Sequence, residues 1–147
     1  YGALTGLNKD EMKKKLGEEK VHKFRRSWDL RPDPLDKNNA YHPINIETYK
    51  EIPSEKIPDT ESLKDTYERV IKFYNKEIKN KTNENILISA HGNSIRALCK
   101  HLFNLDDNEI SKLEIPTGNP LLIQFENSKI SNCKYLDQER AKDLLVF

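Results

Sequence analysis

The sequence contains few of the residues that build a disulfide scaffold, and no stretch that suits a membrane. Its 147 residues include two cysteines, Cys99 and Cys133, and neither lies in a CxxC or other metal-ligand spacing. Two thiols do not make a disulfide framework, so a reducing cytoplasmic compartment is expected. No apolar run approaches the roughly 20 residues that a membrane span requires. The composition therefore argues against a disulfide-rich secreted domain and an integral membrane protein.

An excess of charge of one sign is also absent. Lys and Arg number 25 against 24 Asp and Glu, which gives a net charge of +1. Broad binding to nucleic acid or to a membrane surface needs a surplus of positive charge, so neither is expected. The sequence has no GxxxxGK[ST], GxGxxG, GxSxG or HExxH motif, and therefore no pattern for nucleotide binding, a serine nucleophile or a metal site. The length suits one domain, which we expect to span residues 1–147.

The apolar periodicity predicts an α/β fold. Helical spacing is seen from about Lys9 to a break near Gly17, onward to about Trp28, over 61–79, and from about Asn93. The short apolar run Ile86–Ala90 is typical of a buried parallel strand. Two further strands are predicted at Leu121–Glu126 and Ile130–Leu136, with a helical tail after Asp137. This alternation favours a mostly parallel sheet covered by helices.

Residues 29–58, called the excursion below, hold five of the seven prolines. Proline lacks a backbone donor and fixes φ, so irregular structure is predicted there. Connections of this length are uncommon without a functional reason. Two interpretations stay open, a functional loop and a simple surface insertion.

The strongest candidate for chemistry follows the predicted strand over 86–90. That strand ends in His91-Gly92-Asn93, and a helix is expected to begin at once. Ligands of open α/β sheets collect at the carboxyl ends of strands, and a helix N-terminus favours an anion. Gly92 permits a close approach of the backbone. His91 is thus placed to stabilise the charge of a phosphoryl group, although a histidine that only ends a strand would have the same sequence.

A second candidate set is cationic and consists of Lys9, Arg25 and Arg26. Arginine binds carboxylate and phosphate bidentately, and lysine adds a point charge. A small polyanion would need such a set. The alternative is an ordinary solvated charge run, which is how we interpret Lys13–Lys15.

Several blocks of the sequence resemble those of the phosphoglycerate mutases, in the histidine phosphatase superfamily. The block Tyr1–Lys9, YGALTGLNK, is similar to the one that follows a Glu-Arg-His in that family. Phe24-Arg25-Arg26 resembles its Trp-Arg-Arg, and Thr60–Leu63 resembles the start of a family helix. Ile88–Leu98 resembles the block with the second active-site histidine, and Ile115–Leu121 the block after it. The blocks occur in family order over most of the chain.

The resemblance implies a three-layer α/β/α fold with a mostly parallel sheet. It also implies an enzyme that interconverts 2- and 3-phosphoglycerate through a phosphohistidine, primed by 2,3-bisphosphoglycerate and without a metal. His91 would contact the transferring phosphoryl group. Homo-oligomers, dimers or tetramers, are common in the family. The substrate's carboxylate and phosphate oxygens would be bound by Tyr1, Lys9, Arg25 and Arg26, with further polar contacts from Gly92 and Asn93.

The sequence departs from the family in one important respect. The family's nucleophile is a histidine in an Arg-His-Gly motif, which these 147 residues lack. Its acid/base glutamate would lie three residues before Tyr1. We therefore expect a partial chain whose N-terminal strands and nucleophile lie upstream. Two alternatives stay open, a bisphosphoglycerate mutase/phosphatase of the same superfamily and a non-catalytic module that binds phosphorylated metabolites.

Overall fold

The computed structural model describes residues 2–81 and 83–141 of the chain. Two compact units are present, Tyr1–Asp65 and Thr66–Phe147. That residues 1–147 form a single domain stays a prediction. The helices and strands are α1 (Lys9–Leu16), α2 (Glu18–Arg26), α3 (Leu63–Phe73), α4 (Gly92–Phe103), α5 (Asp107–Lys112), β1 (Leu121–Glu126) and β2 (Lys129–Tyr135).

The first unit opens with two consecutive helices, as the sequence predicts. Asn8 caps α1, because its side chain accepts hydrogen bonds from the amides of Asp10 at 2.9 Å and Glu11 at 3.3 Å. Gly17, at φ 85°, ends α1 and precedes α2. That backbone conformation is costly for other residues, which explains the break. Val21 is the buried residue of α2.

The excursion is irregular, as its prolines predict. Its regular structure consists of three single turns of 3-10 helix, at Pro43–Asn45, Glu47–Tyr49 and Ser54–Lys56. Its first part approaches the residue just after its end, because the amide of Leu35 donates to the carbonyl of Asp59 at 2.9 Å. The excursion is therefore a loop that is closed at its base.

The start of α3 is held by a reciprocal cap and an ion pair. The amide of Asp65 donates to the hydroxyl of Ser62 at 3.2 Å, and the amide of Ser62 donates to the Asp65 carboxylate at 2.8 Å. Arg31 binds the same carboxylate bidentately, with N–O distances of 2.6 and 2.5 Å. The Arg31 guanidinium, and next the Ser62 hydrogen bonds, hold the pKa of Asp65 well below its usual range.

A depressed carboxyl pKa gives a defined dependence of stability on pH. The contribution of Asp65 is complete above the pKa of an unfolded aspartate and is lost as the pH falls through the lower folded value. Asp65→Asn should lower the free energy of unfolding by about 1 kcal/mol at neutral pH. The effect is no larger because solvent partly screens the ion pair. The measurement is the free energy of unfolding in urea at a series of pH values. The difference in this free energy between wild type and Asp65→Asn should decrease below about pH 4.

The matched control is Asp29→Asn, which removes the more exposed ion pair between Asp29 and Lys64. Asp29→Asn should lower the free energy of unfolding by less than Asp65→Asn does at neutral pH. A gap between wild type and Asp65→Asn that stayed constant down to about pH 2.5 would contradict the assignment.

The second unit packs α3, α4 and α5 around a small core. Helix α3 continues into a π-helical turn, Tyr74–Ile78, within the helical stretch predicted over 61–79. His101 of α4 contacts two tyrosine rings edge-on, with centroid distances of 6.1 Å to Tyr67 and 5.7 Å to Tyr74. Among the described residues of this unit, those with 0 or 1% exposure are Ala97, Cys99, Ile110, Leu113 and Tyr135.

The described sheet is an antiparallel hairpin of β1 and β2. Asn127 and Ser128 join the strands with positive φ of 52° and 63°, as a two-residue hairpin turn requires. Asn119 closes the base of the hairpin, because its side chain exchanges two hydrogen bonds with the backbone of Asp137, at 2.9 and 3.0 Å. The two predicted strands are confirmed. After them only a 3-10 turn, Glu139–Ala141, belongs to the described part of the predicted helical tail.

The predicted strand over 86–90 is wrong for this structure. Residues 85–90 have no regular secondary structure, and all of them are exposed. Leu87 is 91% exposed. A parallel strand is held by hydrogen bonds to its neighbours, and within residues 2–81 and 83–141 the strand pairing is confined to β1 and β2. The apolar pattern is present, but the described part of the chain provides no partner strand for it, and the mostly parallel sheet stays a prediction.

A search of the described residues finds no helix long and apolar enough to cross a membrane.

Candidate functional site

His91 lies at the position that immediately precedes α4. Its backbone is extended, with φ −59° and ψ 145°, and its carbonyl accepts the first hydrogen bond of the helix, from the amide of Ile95 at 3.1 Å. The imidazole makes no capping hydrogen bond to the helix, and the residue is exposed. The side chain is thus not used to end the preceding segment or to fill the core, and it is accessible to a ligand.

Gly92 is the first residue of α4 and is exposed. A Cβ placed on it would meet no heavy atom of the described residues within 4 Å. Internal packing therefore does not require a glycine here. The amides of the first helical turn point outward at this end, where they favour an anion.

Asn93 is oriented by an arginine on the next turn of α4. Its side-chain oxygen accepts a hydrogen bond from Arg96 Nη1 at 3.1 Å. Arg96 is 2% exposed, and its Nη2 also donates to the carbonyl of Ile110 at 2.5 Å. Because the oxygen of Asn93 faces Arg96, the amide nitrogen is the group that Asn93 can offer to a ligand. An amide N–H₂ is a donor, which suits a phosphate oxygen.

An apolar groove of about 370 Å³ lies next to the segment that leads into His91. Its lining includes Ile88 and Ala90 of that segment, Val70 and Tyr74 of the α3 region, and Ile95 of α4. Phosphate oxygens need hydrogen-bond donors, and this lining is dominated by hydrocarbon. The groove is therefore unsuited to a phosphorylated substrate, whereas the polar start of α4 is suited to one.

The cationic candidates all lie in the first unit. Lys9 is the first residue of α1 and is exposed, while Arg25 and Arg26 form the last turn of α2 and are half-buried. Cations at a helix C-terminus also interact favourably with the helix dipole, which is a purely structural reason for the arginine pair. Tyr1 lies outside the described residues. The roles of these residues stay predictions.

The two cysteines are unsuited to nucleophilic chemistry. Cys99 is 1% exposed, and burial raises the pKa of its thiol to about 12. Burial also raises the pKa of Cys133 to about 11. The thiolate is the nucleophilic form, and it is scarce at neutral pH for such values. Among residues 2–81 and 83–141, no group of three or more His, Cys, Asp or Glu is placed to hold a metal.

Sequence reasoning overlooked two features of these units. One is Arg96, which lies within a block that drew attention only for His91. Its spacing of three from Asn93 is the helical signal that could have identified it. The other is His42, which is buried in the excursion at 0% exposure and lies 3.0 Å from Asp59. No local pattern marks that residue.

Comparison with known proteins gives a consistent result. The sequence profile of the histidine phosphatase superfamily (branch 1) matches residues 34–137. A protein of Pelagibacter ubique named 2,3-bisphosphoglycerate-dependent phosphoglycerate mutase is 72% identical over 150 aligned positions, which cover 100% of this chain and 63% of the relative. Proteins of the same name from Maricaulis maris and Hyphomonas neptunium are 45% and 48% identical, over 98% of this chain and 61% of each relative. The chain thus spans less than two thirds of these relatives. On the match over 34–137, the chain belongs to the histidine phosphatase superfamily, branch 1, which has an α/β fold.

Proposed function

We propose that the complete protein interconverts 2-phosphoglycerate and 3-phosphoglycerate through a phosphohistidine. The observation that carries the proposal is the 72% identity, over the whole of this chain, to a relative named for that activity. The local structure supports it, because His91 is exposed at the start of α4 and Asn93 is held by Arg96 so that its amide nitrogen is available. Phosphoryl transfer depends mainly on positioning and charge stabilisation, and these groups supply both.

The proposed roles follow the family resemblance. His91 stabilises the charge that develops on the transferring phosphoryl group, while Gly92 and Asn93 contribute donors at the helix start. The carboxylate and phosphate oxygens of the substrate are bound by Tyr1, Lys9, Arg25 and Arg26. The nucleophilic histidine and the acid/base glutamate are supplied by the part of the protein that precedes residue 1.

The proposed reaction consists of two linked transfers. In the first, the N–P bond of the phosphohistidine breaks, an O–P bond forms to the free hydroxyl of the phosphoglycerate, and the glutamate accepts the hydroxyl proton. In the second, the original phosphoryl group of the bisphosphoglycerate returns to the histidine and the glutamate gives the proton back. Net hydrolysis does not occur, so the site must hold the bisphosphoglycerate without admitting water to the phosphohistidine.

A priming donor, 2,3-bisphosphoglycerate, accounts for the first phosphorylation of the enzyme. Such a donor is a small polyanion and needs several cations and N–H donors. The residues proposed for it are of that kind, since Lys9 is exposed, Arg25 and Arg26 are half-buried, and the start of α4 offers amides. No metal is needed for this chemistry.

The proposed fold of the complete protein is three-layered, with a mostly parallel sheet. The match of residues 34–137 to the histidine phosphatase superfamily, which has an α/β fold, supports this. The complete protein is further proposed to be cytoplasmic and homo-oligomeric, as a dimer or a tetramer.

The test is an assay of the complete protein with 3-phosphoglycerate, in which 2-phosphoglycerate and free phosphate are both followed. The expected result is that 2-phosphoglycerate forms, that its formation needs 2,3-bisphosphoglycerate, and that little free phosphate appears. Rapid release of free phosphate would instead indicate a bisphosphoglycerate mutase/phosphatase. Binding of 3-phosphoglycerate without turnover would indicate the non-catalytic module.

A further inference from the structure

The excursion is packed onto the amino-terminal block, which we define as residues 2–9. The amide of Ala3 donates to the carbonyl of Asp33 at 2.7 Å. A Cβ on Gly2 would come within 2.2 Å of that carbonyl oxygen and within 2.7 Å of the hydroxyl of Thr60. Asp33 lies near the start of the excursion and Thr60 lies shortly after its end, so the base of the loop lies directly on the block that resembles a substrate-binding segment.

A second contact joins the middle of the excursion to the same block. The ring of Tyr41 lies against Gly6, where a Cβ would come within 2.4 Å of Cδ2. Gly6 also has φ of 79°, a conformation that is strained for residues with a Cβ, so both its backbone and its surroundings require glycine. Gly6 lies two residues before Asn8, which caps α1, and three before Lys9. The position of the Tyr41 ring therefore bears on the start of α1.

His42 follows Tyr41 in sequence and fixes its position. Its imidazole is buried at 0% exposure, although most of the excursion is exposed. Nδ1 accepts a hydrogen bond from the amide of Ile44 at 3.2 Å, so the ring proton resides on Nε2. Nε2–H then donates to the carboxylate of Asp59 at 3.0 Å. One imidazole thus connects the 3-10 turn Pro43–Asn45 with Asp59, the residue just after the end of the excursion.

These contacts differ from what a surface insertion needs. Burying an imidazole is unfavourable unless both nitrogens are hydrogen-bonded, and here each has a partner at a fixed place. A connection that only spans a gap could be made by solvated residues. The two hydrogen bonds offset the free-energy cost of burying the imidazole. They also hold the neighbouring Tyr41 in one place, and with it the turn at Gly6.

We propose that His42 is a positioning residue for substrate binding. Its hydrogen bond to Asp59 sets the place of Tyr41 on Gly6, and this contact holds the turn from which Asn8 and Lys9 begin α1. The inference rests on the proposed function, in which Lys9 binds the anionic substrate. His42 does not touch substrate, and it acts through Tyr41 and Gly6.

The test compares two substitutions that each keep one hydrogen bond of the imidazole, in the complete protein. His42→Gln retains a donor near the place of Nε2, and His42→Asn retains an acceptor near the place of Nδ1. His42→Asn and His42→Ala should raise KM for 3-phosphoglycerate about tenfold, with kcat within about threefold of wild type, because a small misplacement of a binding group is costly. His42→Gln should restore KM to within about threefold of wild type.

Asp59 provides a second pair, which decides the matter if the His42 variants fail to fold. The Asp59 side chain is 38% exposed, so substitutions there are better tolerated. Asp59→Asn keeps an acceptor for Nε2–H and should leave KM near that of wild type. Asp59→Ala removes the acceptor and should raise KM for 3-phosphoglycerate by as much as His42→Asn does. Tyr41→Ala should raise KM similarly with the His42–Asp59 pair intact. Lys50→Gln, on an exposed turn of the excursion, is the control and should change nothing.

The outcomes separate this inference from the proposed function. A wild-type protein without mutase turnover refutes the function, and the same variants are then compared by the Kd of 3-phosphoglycerate in calorimetry. If neither turnover nor binding is found in wild type, both proposals fail. If wild type is active but His42→Asn and Asp59→Ala keep its KM, or lose kcat and stability without a change in KM, the positioning role is overturned.

Discussion

His91→Ala should lower kcat of the complete protein by a hundredfold to about a thousandfold, because one group that stabilises transition-state charge is typically worth that much. The effect on folding should be small. The His91 side chain is exposed and makes no capping hydrogen bond to α4, so its removal leaves the start of that helix unchanged. The free energy of unfolding should change by less than about 0.5 kcal/mol.

Two further substitutions refine this result. His91→Gln retains one hydrogen-bonding nitrogen and should recover part of the lost kcat, whereas His91→Ala should not. His22→Gln changes another exposed histidine, on α2, and should leave kcat unchanged. The measurements are single-turnover and steady-state kinetics together with urea unfolding. Turnover of His91→Ala close to that of wild type would remove His91 from the reaction.

The second large effect is expected at the end of α2. Arg25→Ala and Arg26→Ala should each raise KM for 3-phosphoglycerate by about tenfold to a hundredfold, with a smaller change in kcat, because loss of a charged hydrogen-bonding partner mainly weakens binding. Arg→Lys at the same positions should fall between wild type and alanine, since lysine keeps the charge but not the planar fork. KM should also become less sensitive to salt, as fewer charges attract the substrate.

The same helix offers a matched control. Lys23 lies in the last turn of α2 and pairs on the surface with Glu19 at 2.7 Å. Lys23→Ala removes one positive charge from the helix without touching a proposed ligand, and KM should stay within about twofold of wild type. If both arginine variants kept the wild-type KM, the arginine pair would be assigned to the helix dipole and the solvated surface instead.

The helices were predictable because their signals are local. Helix α1 ends at Gly17, where the sequence predicts a break, and Asn8 caps its beginning. Asp106 opens α5 in a similar way, through a capping box with Glu109. A cap and an apolar face lie within a few residues of one another, so the sequence contains the whole signal. The turn at Asn127 and Ser128 is local in the same sense.

The features that escaped prediction depend on partners far along the chain. Residues 86–90 have the local pattern of a strand, but strand pairing also depends on a second segment, and among the described residues only β1 and β2 are paired. His42 lies in a proline-rich stretch and gains its place from Asp59, which is 17 residues away. Arg96 can be buried on α4 because its guanidinium donates a hydrogen bond to the carbonyl of Ile110, which belongs to a different helix. Such contacts have no sequence signature of their own.

The candidate site also combines features that were predictable from the sequence with features that were not. The placement of His91, Gly92 and Asn93 at a helix start was predictable from the motif, and the structure has it there. The orientation of Asn93 was not, because it depends on the buried Arg96. For the cations the sequence predicts positions on helices, and the structure has Lys9 on α1 and Arg25 and Arg26 on α2.

The exposed run at Ile86–Ile88 has a practical consequence. The large aliphatic side chains of Ile86, Leu87 and Ile88 are exposed, and an exposed apolar patch promotes association between molecules. A preparation limited to these 147 residues would accordingly tend to aggregate. A lack of activity in such a preparation would reflect aggregation and would not test the proposed reaction. Conclusions about catalysis should therefore be drawn from material in which this run is covered.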